Sequence, residues 1–228
     1  MLVTYRRSGG PKPRTDESVE VSPTGEVTSR RVVTVGRAGR FASQLEPADL
    51  KSIEKAVAAV AGATVEMEAP GRPPYEIEDV EASQASLSFH PEQKLPRPVT
   101  TLRNRLRALY ESLAEHPLSG IELSVDPAGK FATLRALGDA PTSVDWSIAS
   151  ATYDLYDARQ AYMSSGQLDF GLHGGRQELA PGWTREAPFA GLTFSPEMTL
   201  QVRLVFSMKF DEERWRDCQI TVVAGKGW

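Results

Sequence analysis

One segment alternates between apolar and polar side chains more strictly than any other part of this 228-residue chain. From Leu200 to Phe210 every even-numbered residue is apolar, and every odd-numbered residue except Val205 is polar. Successive side chains of a strand point to opposite faces, so the pattern predicts a β-strand that is buried on one side. A turn at 211–214 and an apolar alternation at 218–222 predict the returning strand. The chain must therefore form an antiparallel hairpin here.

Three other segments carry apolar residues at helical spacing. The first runs from Leu50 to Val60, with Pro47 in its first turn and Gly62 at its end. The second, 99–113, repeats apolar residues every three or four positions and places them on one face. The third begins at a capping-box pattern over 142–145 and ends at Gly166. Its apolar stripe consists of Ile148, Ala151, Leu155, Ala158 and Tyr162.

Two proline–glycine turns stand about half the chain apart. The stretches 19–27 and 123–131 each contain one, and each predicts a hairpin closed by a type I turn. They align with an offset of 104 residues, and the stretches 87–95 and 192–200 align with an offset of 105. Such agreement indicates an internal duplication. The alternative is that proline–glycine hairpins are common and the agreement is coincidence.

These patterns together predict the fold class and the domain organisation. We expect an α+β protein of two related units, each with antiparallel strands and a few helices packed on one face. The first unit would comprise residues 1–117 and end with the leucine-rich helix. The second would comprise residues 118–228 and end with the long hairpin.

Composition excludes several classes of protein. The chain has 26 basic and 30 acidic residues, a net charge of −4, which gives no support to nucleic-acid binding through bulk charge. No apolar run approaches the roughly 20 residues of a membrane helix, and the start is not typical of a signal peptide. A single cysteine excludes an internal disulfide framework. We therefore expect a cytoplasmic protein.

The residue types that most often carry catalysis form no recognisable motif. His90, His116 and His173 lack metal-ligand spacing with one another and with Cys218. His173 and the two glycines after it are similar to an esterase oxyanion element, but no Gly-x-Ser-x-Gly elbow accompanies them. The cysteine alternates with apolar neighbours, which predicts a buried structural thiol. We therefore expect no catalytic residue, no metal and no cofactor.

Charged and aromatic residues offer candidates for partner binding. Arg37 and Arg40, within a glycine-containing stretch, could hold a phosphate or a carboxylate, or could lie in an exposed loop between a hairpin and a helix. Trp183 lies in the segment 167–191, which has no sustained periodicity, and it could anchor a partner or fold back onto the core. The helix at 99–113 has a basic face that could meet an acidic partner or simply be solvated. That basic face and its surroundings contain Arg97, Arg103, Arg105 and Arg107.

Two clusters of carboxylates lack the ligand spacing of a calcium loop. The sequence predicts that they are the solvated sides of a strand and of a turn. The first cluster is Glu76, Glu78, Asp79 and Glu81, and the second is Asp211, Glu212, Glu213 and Asp217.

Residues 2–113 resemble the small emfourin-type proteins, which include inhibitors of thermolysin-like metalloproteases such as protealysin. The resemblance lies in a first strand that runs into Tyr5-Arg6-Arg7-Ser8-Gly9-Gly10, followed by a hairpin and the helix from Leu50 to Val60. A strand at 75–77 and the leucine-rich helix complete the order. Pro11-Lys12-Pro13 stands where that pattern commonly has Phe-Ala-Gly. The resemblance implies that Ser8, Gly9 and Gly10 form a contact loop.

The function that we expect is therefore non-catalytic. The resemblance implies a protein-binding module that inhibits a metalloprotease by burying a loop in its active-site cleft without being cleaved. The alternative is a structural or assembly protein that uses the surface of two fused units. A third possibility is an enzyme built around the segment 167–191, because long loops are often functional.

Overall fold

The computed structural model describes residues 1–10, 14–67, 76–128, 130–172, 174–195, 197–210 and 214–225. The chain forms two compact units, which we describe separately. The first comprises Met1–Arg31 and Arg40–Pro117, and the second comprises Val32–Gly39 and Leu118–Trp228. The second unit thus includes a short segment from the N-terminal half of the chain, which the sequence patterns did not indicate.

Strands make up 54% of the described residues and helices 15%. The expected α+β class, with several helices on each unit, is therefore wrong, and the protein is mostly β. In chain order the elements are β1 (Val3–Gly9), β2 (Thr15–Val21), β3 (Glu26–Arg31), β4 (Val33–Val35), β5 (Arg37–Gln44), α1 (Pro47–Ala58), β6 (Glu76–Ala82), β7 (Ala85–Phe89), α2 (Arg97–Ser112), β8 (Pro117–Asp126), β9 (Phe131–Leu137), β10 (Thr142–Tyr156), β11 (Tyr162–Gln167), β12 (Arg176–Leu179), β13 (Thr184–Pro188), β14 (Thr199–Lys209) and β15 (Trp215–Gly225).

The first unit is one sheet covered by two helices. Its strands lie in the order β5, β3, β2, β1, β6, β7, so β1 is central and is paired on both sides with antiparallel neighbours. Helices α1 and α2 contribute Ile53, Val57, Leu102 and Leu106 to a core whose other side comes from the strands. Both helices were predicted from the spacing of these apolar residues. Among the described residues, no helix has the length and apolarity needed to cross a membrane.

The second unit contains two sheets packed face to face. One holds β13, β9, β8 and β5 in that order, and the other holds β11, β10, β14, β15 and β4, with β12 also paired to β10. Side chains from both sheets share a single core, with Leu123 and Leu134 on one side and Leu204 and Phe206 on the other. Two sheets that each have one apolar face pack in this way. The predicted hairpin of β14 and β15 is confirmed, with Leu204 opposite Ile220.

The helix predicted from residue 142 is wrong, because this segment is the long strand β10. Thr142, Val144 and Trp146 are buried and therefore alternate as in a strand, but the pattern then breaks. Asp145 lies opposite Ser207 and Ser150 opposite Val205, so β10 has three extra residues in this interval. Such a bulge moves the inward face from even-numbered to odd-numbered positions. Because of this change, the apolar residues before and after the bulge are spaced as they would be on one face of a helix.

The predicted duplication fails for the same reason. The position 104 residues after α1 falls in β10 and β11, so the helix of the first unit has no counterpart in the second. Residues 192–195, which align with part of β7, are not in a strand. Among the described residues, only the hairpins correspond, since β2 and β3 pair at Val21 and Val27 and β8 and β9 pair at Asp126 and Phe131. The sequence agreement therefore reflects local turn chemistry rather than two related units.

Within the second unit, β5 and β8 approach so closely that a side chain is excluded. A Cβ atom on Gly120 would lie 2.4 Å from the carbonyl oxygen of Ala38, whereas one on Gly174 would meet nothing within 4 Å. We expect Gly120→Ala to lower the free energy of unfolding by about 1–3 kcal/mol, because the two backbones must separate. Gly174→Ala, the matched control, should change it by less than about 0.5 kcal/mol. Urea denaturation of both variants measures the difference, and equal effects would contradict the close approach.

Candidate functional site

The inner face of the first unit's sheet changes from apolar to charged along the strands. On β1, Val3 and Tyr5 face the core, and Arg7 follows on the same face. Arg7 lies opposite Glu17 of β2 on one side and opposite Glu78 of β6 on the other. Arg31 of β3 continues the line, because its neighbour Arg30 is paired with Ser18. We call Glu78, Arg7, Glu17 and Arg31 the charged row; its charges alternate in sign from strand to strand, which stabilises cross-strand pairs.

Helix α2 supplies the counter-charge for the most deeply buried member of this row. Glu78 is 1% exposed, and its two carboxylate oxygens accept hydrogen bonds from Arg103 Nε at 2.5 Å and Nη2 at 2.6 Å. The same Nη2 donates to the carbonyl oxygen of Pro91 at 2.8 Å. Hydrogen bonding to Glu78 raises the pKa of the Arg103 guanidinium. The prediction that Glu78 is a solvated carboxylate is therefore wrong, because Glu78 shares the core face of β6 with Val80.

A second ion pair closes the end of the sheet beyond the charged row. Arg7 donates to Glu76 Oε2 from Nη2 at 2.6 Å and from Nε at 3.0 Å. Thr15 donates to the other oxygen of Glu76 at 3.3 Å, and Arg7 Nη1 lies 3.9 Å from Glu17 Oε2. Burial acts to lower the pKa of Arg7, but the hydrogen bond and the charge of Glu76 outweigh it and the pKa is raised. Arg7 thus interacts with Glu17 within the charged row and with Glu76 outside it.

The opposite end of the charged row packs against the last turns of α2. Burial raises the pKa of Glu17, although Tyr110, Arg7 and Arg31 act to lower it. Arg31 is buried, lies 4.0 Å above the ring of Tyr110 and donates to the carbonyl oxygen of that residue. Burial also raises the pKa of the Tyr110 hydroxyl. Glu17, Arg31 and Tyr110 therefore form a closely packed group at this end of the charged row.

The predicted contact residues Ser8, Gly9 and Gly10 follow Arg7 in the chain and lie beside its ion pair with Glu76. Ser8 is half-buried and Gly9 ends β1, where it is paired with Thr15 on one side and with Glu76 on the other. Gly10 is buried with φ +80°, and a Cβ atom there would lie 3.2 Å from Glu76 Cγ. The structure therefore places Ser8–Gly10 at the end of a central strand whose two sides are both occupied. Residues 11–13 lie outside the described residues.

The two arginines predicted as anion ligands lie in strand β5 rather than in a loop. Arg37 belongs to the second unit, where its Nε donates to Glu122 Oε1 at 2.8 Å. Glu122 Oε2 lies 3.6 Å from Arg135 Nε, so this carboxylate serves two cations. Arg40 belongs to the first unit and is exposed. The acid that binds Arg37 is a residue of this chain, which the sequence reading did not identify.

The remaining candidates have structural surroundings. Trp183 is partly buried in the second unit and stacks on Trp146 with a centroid distance of 6.3 Å, so it folds back onto the core. Cys218 is fully buried and burial raises the pKa of its thiol, which confirms the predicted structural cysteine. His173 lies outside the described residues. Across the part of the chain that the structure describes, no group of three His, Cys, Asp or Glu could hold a metal ion.

The second unit has a cleft that sequence reasoning missed. Its volume is about 360 Å³, and it lies between the part of β10 that follows the bulge and the segment after β11. Ser150, Gln167 and Asp169 give it polar groups, while Phe170 and Leu204 give it apolar walls. The segment 167–191 contains β12 and β13 and is not wholly irregular. No periodic signal could have identified this cleft, because it depends on the bulge.

Comparison of the chain with protein-family models, with curated proteins and with solved structures finds no match. The charged row and the Ser8–Gly10 segment are therefore interpreted from their own geometry.

Breaking the pair of Glu78 and Arg103 should strongly destabilise the first unit. We expect Glu78→Ala to lower the free energy of unfolding by about 3–5 kcal/mol, because it leaves the guanidinium buried without its partner. Glu81→Ala, at an exposed position of the same strand, should change it by less than about 0.5 kcal/mol. Chemical denaturation measures both. The double variant that combines Glu78→Leu with Arg103→Met should recover part of the loss, and equal effects of the two alanine variants would contradict this role.

The raised pKa of Glu17 predicts a specific dependence of stability on pH. The folded protein binds more protons than the unfolded chain between the ordinary glutamate pKa and the raised value, so its stability falls as pH rises through that interval. Glu17→Gln removes this titration. We expect the unfolding free energy of the wild type, relative to that of Glu17→Gln, to decrease as the pH rises above the ordinary glutamate pKa of about 4.3. Glu20→Gln, on the other face of β2, controls for the loss of a carboxylate; identical pH dependence of both variants would contradict the assignment.

Proposed function

We propose that this chain is a non-catalytic protein-binding module whose contact segment is Ser8–Gly10. The supporting observation is that the base of this segment is held from two sides, because Gly9 is paired with Thr15 and with Glu76. The ion pair of Arg7 and Glu76 lies beneath it. A segment that is already ordered loses little conformational freedom on binding, so more of the interaction energy is retained as affinity.

Within this class, we propose inhibition of a thermolysin-like metalloprotease, as the emfourin resemblance implies. Ser8–Gly10 would occupy the active-site cleft, and its rigid base would oppose the distortion that cleavage requires. The inhibitor itself needs no cofactor in this scheme. We also propose a cytoplasmic location, which the single free cysteine Cys218 supports because reduced thiols are typical of that compartment.

A second candidate is an assembly protein that binds a partner without inhibiting it. Three large apolar residues of the second unit support this alternative: Ile148 is 49% exposed, Tyr162 61% and Met163 48%. Tyr162 and Met163 lie on β11, which is at an edge of its sheet and contains no charged residue. An uncharged edge strand with exposed apolar side chains can pair with a strand of another protein.

Titration of the chain into a thermolysin-like metalloprotease tests the first candidate. With a fluorogenic peptide substrate, we expect inhibition near a one-to-one ratio, and mass spectrometry should recover the inhibitor uncleaved. Ser8→Trp should raise the inhibition constant by about tenfold or more, because the larger side chain disrupts the contact surface.

Ser86→Trp is the matched control, because Ser86 is an exposed serine on β7 of the same unit. It should leave inhibition unchanged, and thermal unfolding should show that both variants are folded. Full protease activity in the presence of excess wild-type chain would refute the inhibitor proposal. A stable complex with that protease without loss of its activity would favour the assembly candidate.

A further inference from the structure

A second surface of the first unit, distinct from Ser8–Gly10, lies between its two helices. The cleft between α1 and α2 has a volume of about 310 Å³ and is only partly enclosed. Ala56, Ala59 and Pro98 give it an apolar floor. Its remaining lining residues carry polar or charged groups and are Ser52, Lys55, Arg97, Thr101 and Arg105.

Three of these lining residues are cations without an opposing carboxylate. Lys55, Arg97 and Arg105 are exposed, and none of them forms an ion pair with another described residue. Arg105 Nη1 donates to Ser52 Oγ, which holds its guanidinium at the cleft. The exposed acids of α1, Asp49 and Glu54, do not line the cleft.

The sequence of α2 makes this positive charge local and strong. From Arg97 to Tyr110 the helix contains four arginines and no acidic residue. One of the four, Arg103, is neutralised by Glu78 on the other side of the helix. The charge around the cleft is therefore opposite in sign to the net charge of −4 of the whole chain. Such a local field attracts an anionic group to one place rather than to the whole surface.

We propose that this cleft binds an acidic segment of a partner protein. One or two carboxylate side chains would lie between Lys55, Arg97 and Arg105, and an apolar side chain of the segment would cover Ala59 and Pro98. The guanidinium groups suit carboxylates because they can donate two parallel hydrogen bonds. The lining contains no aromatic residue on which a base could stack, which favours an acidic peptide over a single-stranded nucleic acid.

Fluorescence anisotropy with a labelled eight-residue peptide of alternating glutamate and leucine tests this proposal. We expect saturable binding to the full chain that weakens as salt is raised from about 50 to about 300 mM. Arg97→Glu and Arg105→Glu should each weaken binding by about five- to tenfold. Ala59→Trp, which fills the cleft without changing its charge, should weaken it as well.

Arg107→Glu is the matched control, because Arg107 is an exposed arginine of the same helix that does not line the cleft. It should change the affinity by less than about twofold. An equal loss with Arg107→Glu, or tighter binding of a single-stranded oligonucleotide to the same residues, would overturn the proposal. Ser8→Trp should leave peptide binding intact, so failure of protease inhibition and failure of this cleft are separate results.

Discussion

The buried ion pair between Glu78 and Arg103 is the constraint on which the first unit depends. Two charges removed from water are tolerated only when their geometry is good and their other hydrogen-bonding groups are satisfied. Here both carboxylate oxygens are used, and the guanidinium has a further acceptor in Pro91. Apolar packing alone tolerates small rotations of a helix over a sheet. A two-point ion pair does not, so it fixes where α2 lies along β6 and which of its faces is turned inward.

That fixed rotation decides what the rest of α2 presents. Residues 97, 101 and 105 are four apart and therefore lie along one side of the helix. Arg103 lies on nearly the opposite side. With Arg103 held against Glu78, the stripe of Arg97 and Arg105 faces the cleft beside α1. The charged row also supports the proposed contact segment Ser8–Gly10. Arg7 of this row pairs with Glu76, and Glu76 is the residue opposite Gly9 in the sheet. One set of linked charges thus supports both the proposed contact segment and the basic cleft.

The sequence predicted elements whose signal is local and missed features that depend on distant partners. The alternation of β14 and the apolar stripe of α2 are visible within a dozen residues, and the structure confirms both. The ion pair of Glu78 and Arg103 could not be found in this way, because the two residues are 25 positions apart and a charged residue considered alone is typical of a solvated position. The spacing of residues within β6 does contain a clue. Glu78 and Val80 are two positions apart, so if Val80 is buried, Glu78 lies on the same, inward face of the strand.

The helix wrongly predicted from residue 142 has a different cause, which is the bulge in β10. A bulge with three extra residues reverses the inward parity of the strand, and Asp145 stabilises it by accepting hydrogen bonds from the backbone N–H and the hydroxyl of Ser147. The bulge turns Ile148 outward, where it is 49% exposed, and the strand beyond it lines the polar cleft. Bulges that re-aim side chains are frequent beside binding sites. The bulge, where the local sequence pattern and the structure disagree, is thus also one of the places at which the second unit exposes an apolar side chain. A packing requirement of the core does not explain that exposure.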